Sequence, residues 1–247
     1  MTQNLERADA RPDRGDEPAR KLEPVAAAGR SWQRMLVNPW VVSLAVIVVF
    51  NLLYALPRYL TFDPAESRIP LDANFPLQFP VLVAHVLTGN IALVTLFLQV
   101  LPALRGRNKA VHKVSGYVYL YAGVLPGALL ALVLLPFSTA PTGSVGLGAM
   151  AVGWIVVTLV GFSKQRRHQY RDHRRWMYYS FALALGTSWG RVLGIVFPLL
   201  HIQMNIMVFL ELTSWLWVAN VIVAQWLWER RYARRRTPST REWPATF

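Results

Sequence analysis

Apolar runs near twenty residues long alternate with short polar links along most of this chain. From Val81 to Leu101 the polar side chains are His85, Asn90, Gln99 and threonines, and no residue is formally charged. A run of roughly 18 or more such residues crosses a bilayer core of about 30 Å as an α-helix. The pattern predicts six such spans: about Trp40 to Leu60, Phe79 to Leu104, Val111 to Phe137, Val145 to Phe162, Trp176 to Leu199 and Asn205 to Trp228. The expected class is all-α, a polytopic transmembrane helical bundle. Pro126 is expected to kink the third span, because it withholds a backbone donor.

The segments outside the spans read differently. Residues 1–35 are polar, with Pro, Asp, Glu and Arg interspersed. Such a stretch cannot bury enough surface to offset its ordering entropy, so a disordered cytoplasmic tail is expected. Residues 36–229 make the membrane domain, and 230–247 a basic cytoplasmic tail. The first apolar run starts too late and runs too long for a cleaved signal peptide.

Charge orients the bundle. Basic residues follow span two (Arg105, Arg107, Lys109, Lys113), span four (Lys164, Arg166, Arg167, Arg171, Arg174, Arg175) and span six (Arg230, Arg231, Arg234, Arg235, Arg236). The links after spans one, three and five are poor in Lys and Arg. By the positive-inside rule both termini are expected to be cytoplasmic, with the chain in a cytoplasmic (inner) membrane. Trp40, Trp176, Tyr178, Tyr179, Trp226 and Trp228 near span ends form the expected interfacial belts. The net charge of +13 is thereby a topology signal, and no folded basic face or motif points to nucleic acid. The absence of cysteine excludes disulfides, thiolate nucleophiles and thiolate metal ligands. There is no His-Glu-x-x-His, Gly-x-Ser-x-Gly or phosphate-binding glycine loop, so nothing marks a stand-alone enzyme.

Rise per residue then assigns depths to the polar groups. His85 lies 20 positions before Arg105, roughly 30 Å along a helix, and falls in the outer part of span two. His112 opens span three and His173 precedes span five, both at the cytoplasmic level. Arg191 in span five and Glu211 in span six each lie about two turns in from the outer link, so they are expected to pair. Two layers follow: an outer polar cluster of His85, Arg191 and Glu211, and an inner pair, His112 and His173. Gly186, Gly190 and Gly194 form a stripe of small residues that admits a neighbouring helix. His168 and His201 read as solvated link residues.

The motifs in order are His85-x-x-x-Gly89, the basic link, His112-x-x-x-Gly116-x-x-Tyr119, His173-Arg174-Arg175-Trp176-Met177-x-x-Ser180, Arg191, and Trp217-x-x-Asn220. This set resembles the bacterial integral-membrane family known as domain of unknown function 2306, over about Pro80 to Trp228. The resemblance implies a membrane protein and leaves its activity open. The family pattern has an arginine before the serine of Trp-Met-x-Arg-Ser, where this chain has Tyr179. The histidine layout is similar, more loosely, to small b-type membrane cytochromes, in which histidines on alternate helices ligate haem iron. That similarity implies haem b held by His112 and His173, with Arg105, Lys113 and Arg174 meeting the propionates. His85 would need a partner on span four, which contains no histidine.

The leading functional expectation is a protein that binds haem or quinone through His112 and His173 in electron transfer, with a redox partner. The alternative is a non-redox transport, sensing or assembly factor. It would use the intramembrane cluster of Arg191, Glu211 and Asn220 together with His85. A scaffold without ligand is the third class, in which these residues only fix helix packing.

Overall fold

The computed structural model describes residues 38–101, 104, 108–137 and 142–233. The expected tails at 1–35 and beyond Ala233 lie outside the described residues, as do Arg105 and Arg107. Six helices are long and apolar enough to cross a membrane: α1 (Pro39–Tyr59), α2 (Gln78–Val100), α3 (Lys109–Phe137), α4 (Ser144–Arg166), α5 (Tyr170–Leu199) and α6 (Ile206–Arg231). No strand occurs among the described residues. Neighbours in sequence pack as neighbours in space, and α4 and α5 also contact α6, while α1 reaches α5.

Threonines inside the apolar helices are satisfied locally. Thr88, Thr95, Thr158 and Thr213 each donate to the carbonyl four residues earlier, at 2.6–2.9 Å. A helix in lipid has no water to take up such groups, so each closes on its own backbone. The core joins α2, α3 and α5 through Ala92, Leu96, Tyr119, Val124 and Ala184. Small residues set that approach. A Cβ on Gly123 would lie 2.9 Å from the Cα of Ala92, closer than atoms pack.

Pro126 stands in the first turn of the α-helical stretch Leu125–Leu134. The turns before it, Tyr119–Val124, wind as a π-helix, and the Leu125 N–H reaches back to the Leu120 carbonyl. The wider turn absorbs the mismatch that the missing proline donor creates.

Two helices are interrupted where the hydropathy pattern is continuous. α5 runs as Tyr170–Ala184 and Ser188–Leu199, with a turn at 185–187. There the Gly186 N–H bonds the Leu183 carbonyl at 2.9 Å and the Ser188 N–H bonds the Leu185 carbonyl at 3.1 Å. These three-residue bonds leave the Ala182 carbonyl without its usual helical donor. The α6 segments Ile206–Trp215 and Trp217–Ala233 meet at Leu216. The two breaks sit side by side: a Cβ on Gly186 would lie 2.6 Å from the Cβ of Trp217.

The glycine stripe explains the pairing. Gly186 faces Trp217, Gly190 faces Thr213 and Gly194 faces Phe209. Both series step by four, so two antiparallel helices meet along matched faces.

Candidate functional site

The half of the bundle that carries the α1–α2 link holds a cavity of about 270 Å³. Tyr54, Ala55 and Tyr59 line it from α1, and Arg68 and Ile69 from the link. The α2 wall includes His85, Val86, Gly89 and Asn90, and α4 adds Met150 and Trp154. The break in α5 brings Ala184, Thr187 and Arg191 to the remaining side. No carboxylate of the described residues lines this cavity.

Each polar group in it is held by a neighbouring helix. His85 Nδ1 lies 2.9 Å from the Gly127 carbonyl of α3. A carbonyl only accepts, so Nδ1 carries a proton, and in the neutral ring Nε2 keeps its lone pair. Asn90 is buried, and its Nδ2 donates to the Val86 carbonyl at 2.7 Å. Its Oδ1 has no hydrogen-bond partner among the described residues. Trp154 is anchored from below. Its Nε1 donates to the Tyr119 hydroxyl at 3.2 Å, and that hydroxyl lies 2.7 Å from Ser180 Oγ. Ser180 Oγ in turn sits 2.6 Å from Thr158 Oγ1.

Arg191 enters from the second half of α5 and donates to the side-chain oxygen of Asn51 in α1. Asn51 is fully buried, and its Nδ2 donates to Ser188 Oγ at 3.0 Å. The guanidinium also lies 5.8 Å from the centre of the Tyr54 ring. The exposed Arg68 takes the other approach to Tyr54. Its guanidinium stacks 3.9 Å over the ring and donates to the hydroxyl at 2.9 Å. Both distances fall within the range of cation–π attraction.

The expected pairing of Arg191 with Glu211 is not what the structure contains. Glu211 Oε2 accepts from the Gly143 N–H at 2.7 Å, and Oε1 accepts from Trp215 Nε1 at 2.8 Å. Gly143 precedes α4 with φ of 86°, a left-handed turn that glycine adopts without strain. Matched depth did not bring the charges together because azimuth differs. Phe209, Thr213 and Trp217 face α5, and Glu211 is two residues off that row, about 200° around the helix.

Asn220 does belong to a polar cluster, though a separate one. Its Nδ2 donates to the orphaned Ala182 carbonyl at 3.1 Å, and its Oδ1 accepts from Trp189 Nε1 at 2.9 Å. One amide thus holds both halves of α5 across the break.

The inner histidines both lie in the first turn of a helix at the same end of the bundle. His173 Nδ1 is 2.8 Å from the Gly161 carbonyl of α4. The His112 carbonyl accepts from Gln99 Nε2 of α2 at 2.6 Å. No group of three or more His, Asp or Glu side chains able to hold a metal occurs among the described residues.

Sequence reasoning missed Tyr54, Arg68, Asn90 and Trp154 as parts of one cavity, and Asn51 as the partner of Arg191. Asn51 and Asn90 carried a signal, an amide within an apolar run. Arg68 carried none, since a link arginine reads as solvated. The family described as Predicted membrane protein (DUF2306) matches residues 82–228, which include the α2, α4 and α5 walls of the cavity. No curated protein and no solved structure matches this chain.

Proposed function

The chain belongs to this family of predicted membrane proteins, and on that premise we propose that it binds a small anion in the cavity beside Arg191. The anion would serve a transport or sensing role. The basic links after α2, α4 and α6 support an orientation in which the cavity faces away from the cytoplasm, in a bacterial cytoplasmic membrane.

One observation carries the reading. Arg191 has no carboxylate partner among the described residues, and its hydrogen bond goes to a neutral amide. A cation at the centre of a membrane helix costs about 2.5–3.5 kcal/mol on insertion scales, and such residues pair when a partner is present. Here the partner position opens onto a cavity of about 270 Å³ with Arg68 at its rim. Low-dielectric walls focus the field of both cations into that space, which raises the local concentration of anions.

Thermal unfolding in detergent at constant ionic strength tests this, with chloride, phosphate, acetate and benzoate as probes. We expect at least one anion to raise the midpoint in a saturable way, and Arg191→Gln to remove the effect. A folded native protein that responds to none of them overturns the reading.

A second reading is favoured by the tautomer of His173. Its Nδ1–H bonds the Gly161 carbonyl, leaving Nε2 as the donor atom, as in most metal-ligating histidines. His173 with His112 would hold haem b or meet a quinone, with Lys113 and Arg174 near the propionates. Bound haem would supply one-electron transfer. Oxidised and dithionite-reduced absorbance spectra decide it. A Soret band lost in His112→Ala and in His173→Ala supports haem, and a flat spectrum at good protein yield removes it.

A further inference from the structure

We infer that the ligand of the Arg191 cavity is a small organic carboxylate that also carries a hydroxyl or N–H donor, and not an inorganic anion. This rests on the anion reading above and adds the chemistry of the opposite wall.

The α1 and α5 side offers donors, the guanidiniums of Arg68 and Arg191. The α2 side offers acceptors. In the neutral ring His85 Nε2 has its lone pair free because Nδ1 carries the proton toward Gly127. Asn90 Oδ1 is left without a partner once Nδ2 is committed to Val86. A buried acceptor without a donor is costly, so a ligand that brings one gains on both walls. Chloride satisfies only the guanidiniums, and the phosphate dianion, although its one P–OH can donate, offers no carbon surface to the apolar walls.

Apart from Thr187, the rest of the lining is apolar or aromatic, including Leu82, Val86, Leu93, Met150 and Trp154. Such surface rewards a carbon skeleton between the two polar ends. Size agrees. A cavity of about 150 Å³ admits benzene, so this one, at about 270 Å³, takes one ring with two substituents. A guanidinium matches a carboxylate in plane, through two parallel N–H bonds.

The probes are 3- and 4-hydroxybenzoate, benzoate and inorganic phosphate, titrated by calorimetry against the full chain in detergent. Arg191→Gln serves as the blank for partition into micelles. We expect at least one hydroxybenzoate to bind about tenfold tighter than benzoate, the worth of one hydrogen bond to a buried acceptor. Phosphate should bind more weakly than either. His85→Phe combined with Asn90→Leu should abolish the difference in affinity between hydroxybenzoate and benzoate. Equal binding of benzoate and both hydroxybenzoates overturns the donor requirement and leaves the anion site standing. Phosphate binding as tightly as the benzoates overturns the carboxylate class. Binding of no probe to protein that elutes as a folded species overturns this inference and the anion reading together.

Discussion

Arg191 of α5 donates its hydrogen bond to Asn51 of α1, while the carboxylate of Glu211 accepts from Gly143 and Trp215 instead. The choice of partner sets the chemistry of this half of the protein. A charge pair would have closed the site, whereas an amide leaves the positive charge uncompensated beside a cavity.

The separation of Arg191 from Glu211 is open to a direct test. A double-mutant cycle of Arg191→Gln and Glu211→Gln, read from unfolding in detergent, should be additive within about 0.5 kcal/mol. Sites without shared partners behave in this way. A coupling above about 1 kcal/mol would mean that the two groups meet.

Asn51 connects stability to binding. Replacing it with leucine strips Arg191 and Ser188 of a common partner and should cost about 1–3 kcal/mol. Asn51→Asp should do the opposite. It places a carboxylate beside the guanidinium, raises the unfolding midpoint, and abolishes stabilisation by added anions. Retained anion stabilisation in folded Asn51→Asp would contradict the placement of the ligand at Arg191.

The break in α5 depends on a glycine. In Gly186→Ala the new methyl would sit 2.6 Å from Trp217 Cβ and 2.9 Å from Met150 Sδ. We expect a loss of about 1–3 kcal/mol from overpacking. Gly153→Ala in α4 is the control, since a Cβ there meets nothing within 4 Å. It should be neutral or stabilising, because alanine favours the helix. Equal losses in the two variants would sink the packing argument.

Trp154 should report on the hydroxyl below it. Tyr119→Phe removes the acceptor of the indole N–H while keeping the ring that packs on Phe181. A buried unpaired donor costs about 1–3 kcal/mol. The same change should weaken binding of a ring-bearing carboxylate, because the wall loses its anchor. Unchanged stability and unchanged benzoate affinity would show that Trp154 is held by packing alone.

Much of the fold was legible in the chain. The runs that became α1 to α6 stand out because lipid demands a continuous apolar surface and closed backbone hydrogen bonds. The Gly186, Gly190 and Gly194 stripe announced a close helix contact, and Trp217, Thr213 and Phe209 fill it. The candidate site was legible only in its parts. His85 and Arg191 were singled out by depth, and they share one cavity. Glu211 was singled out by the same argument and caps the turn at Gly143 instead.

The sequence by itself determined the number of helices and their approximate length. Those follow from hydropathy and rise, which are properties of one strand of residues in a slab of lipid. Only the tertiary structure decided which way each helix is turned, where α5 and α6 break, and which neutral amide meets Arg191. Rotation about a helix axis is set by side chains packing against other helices, and a pattern read along one chain carries length without azimuth.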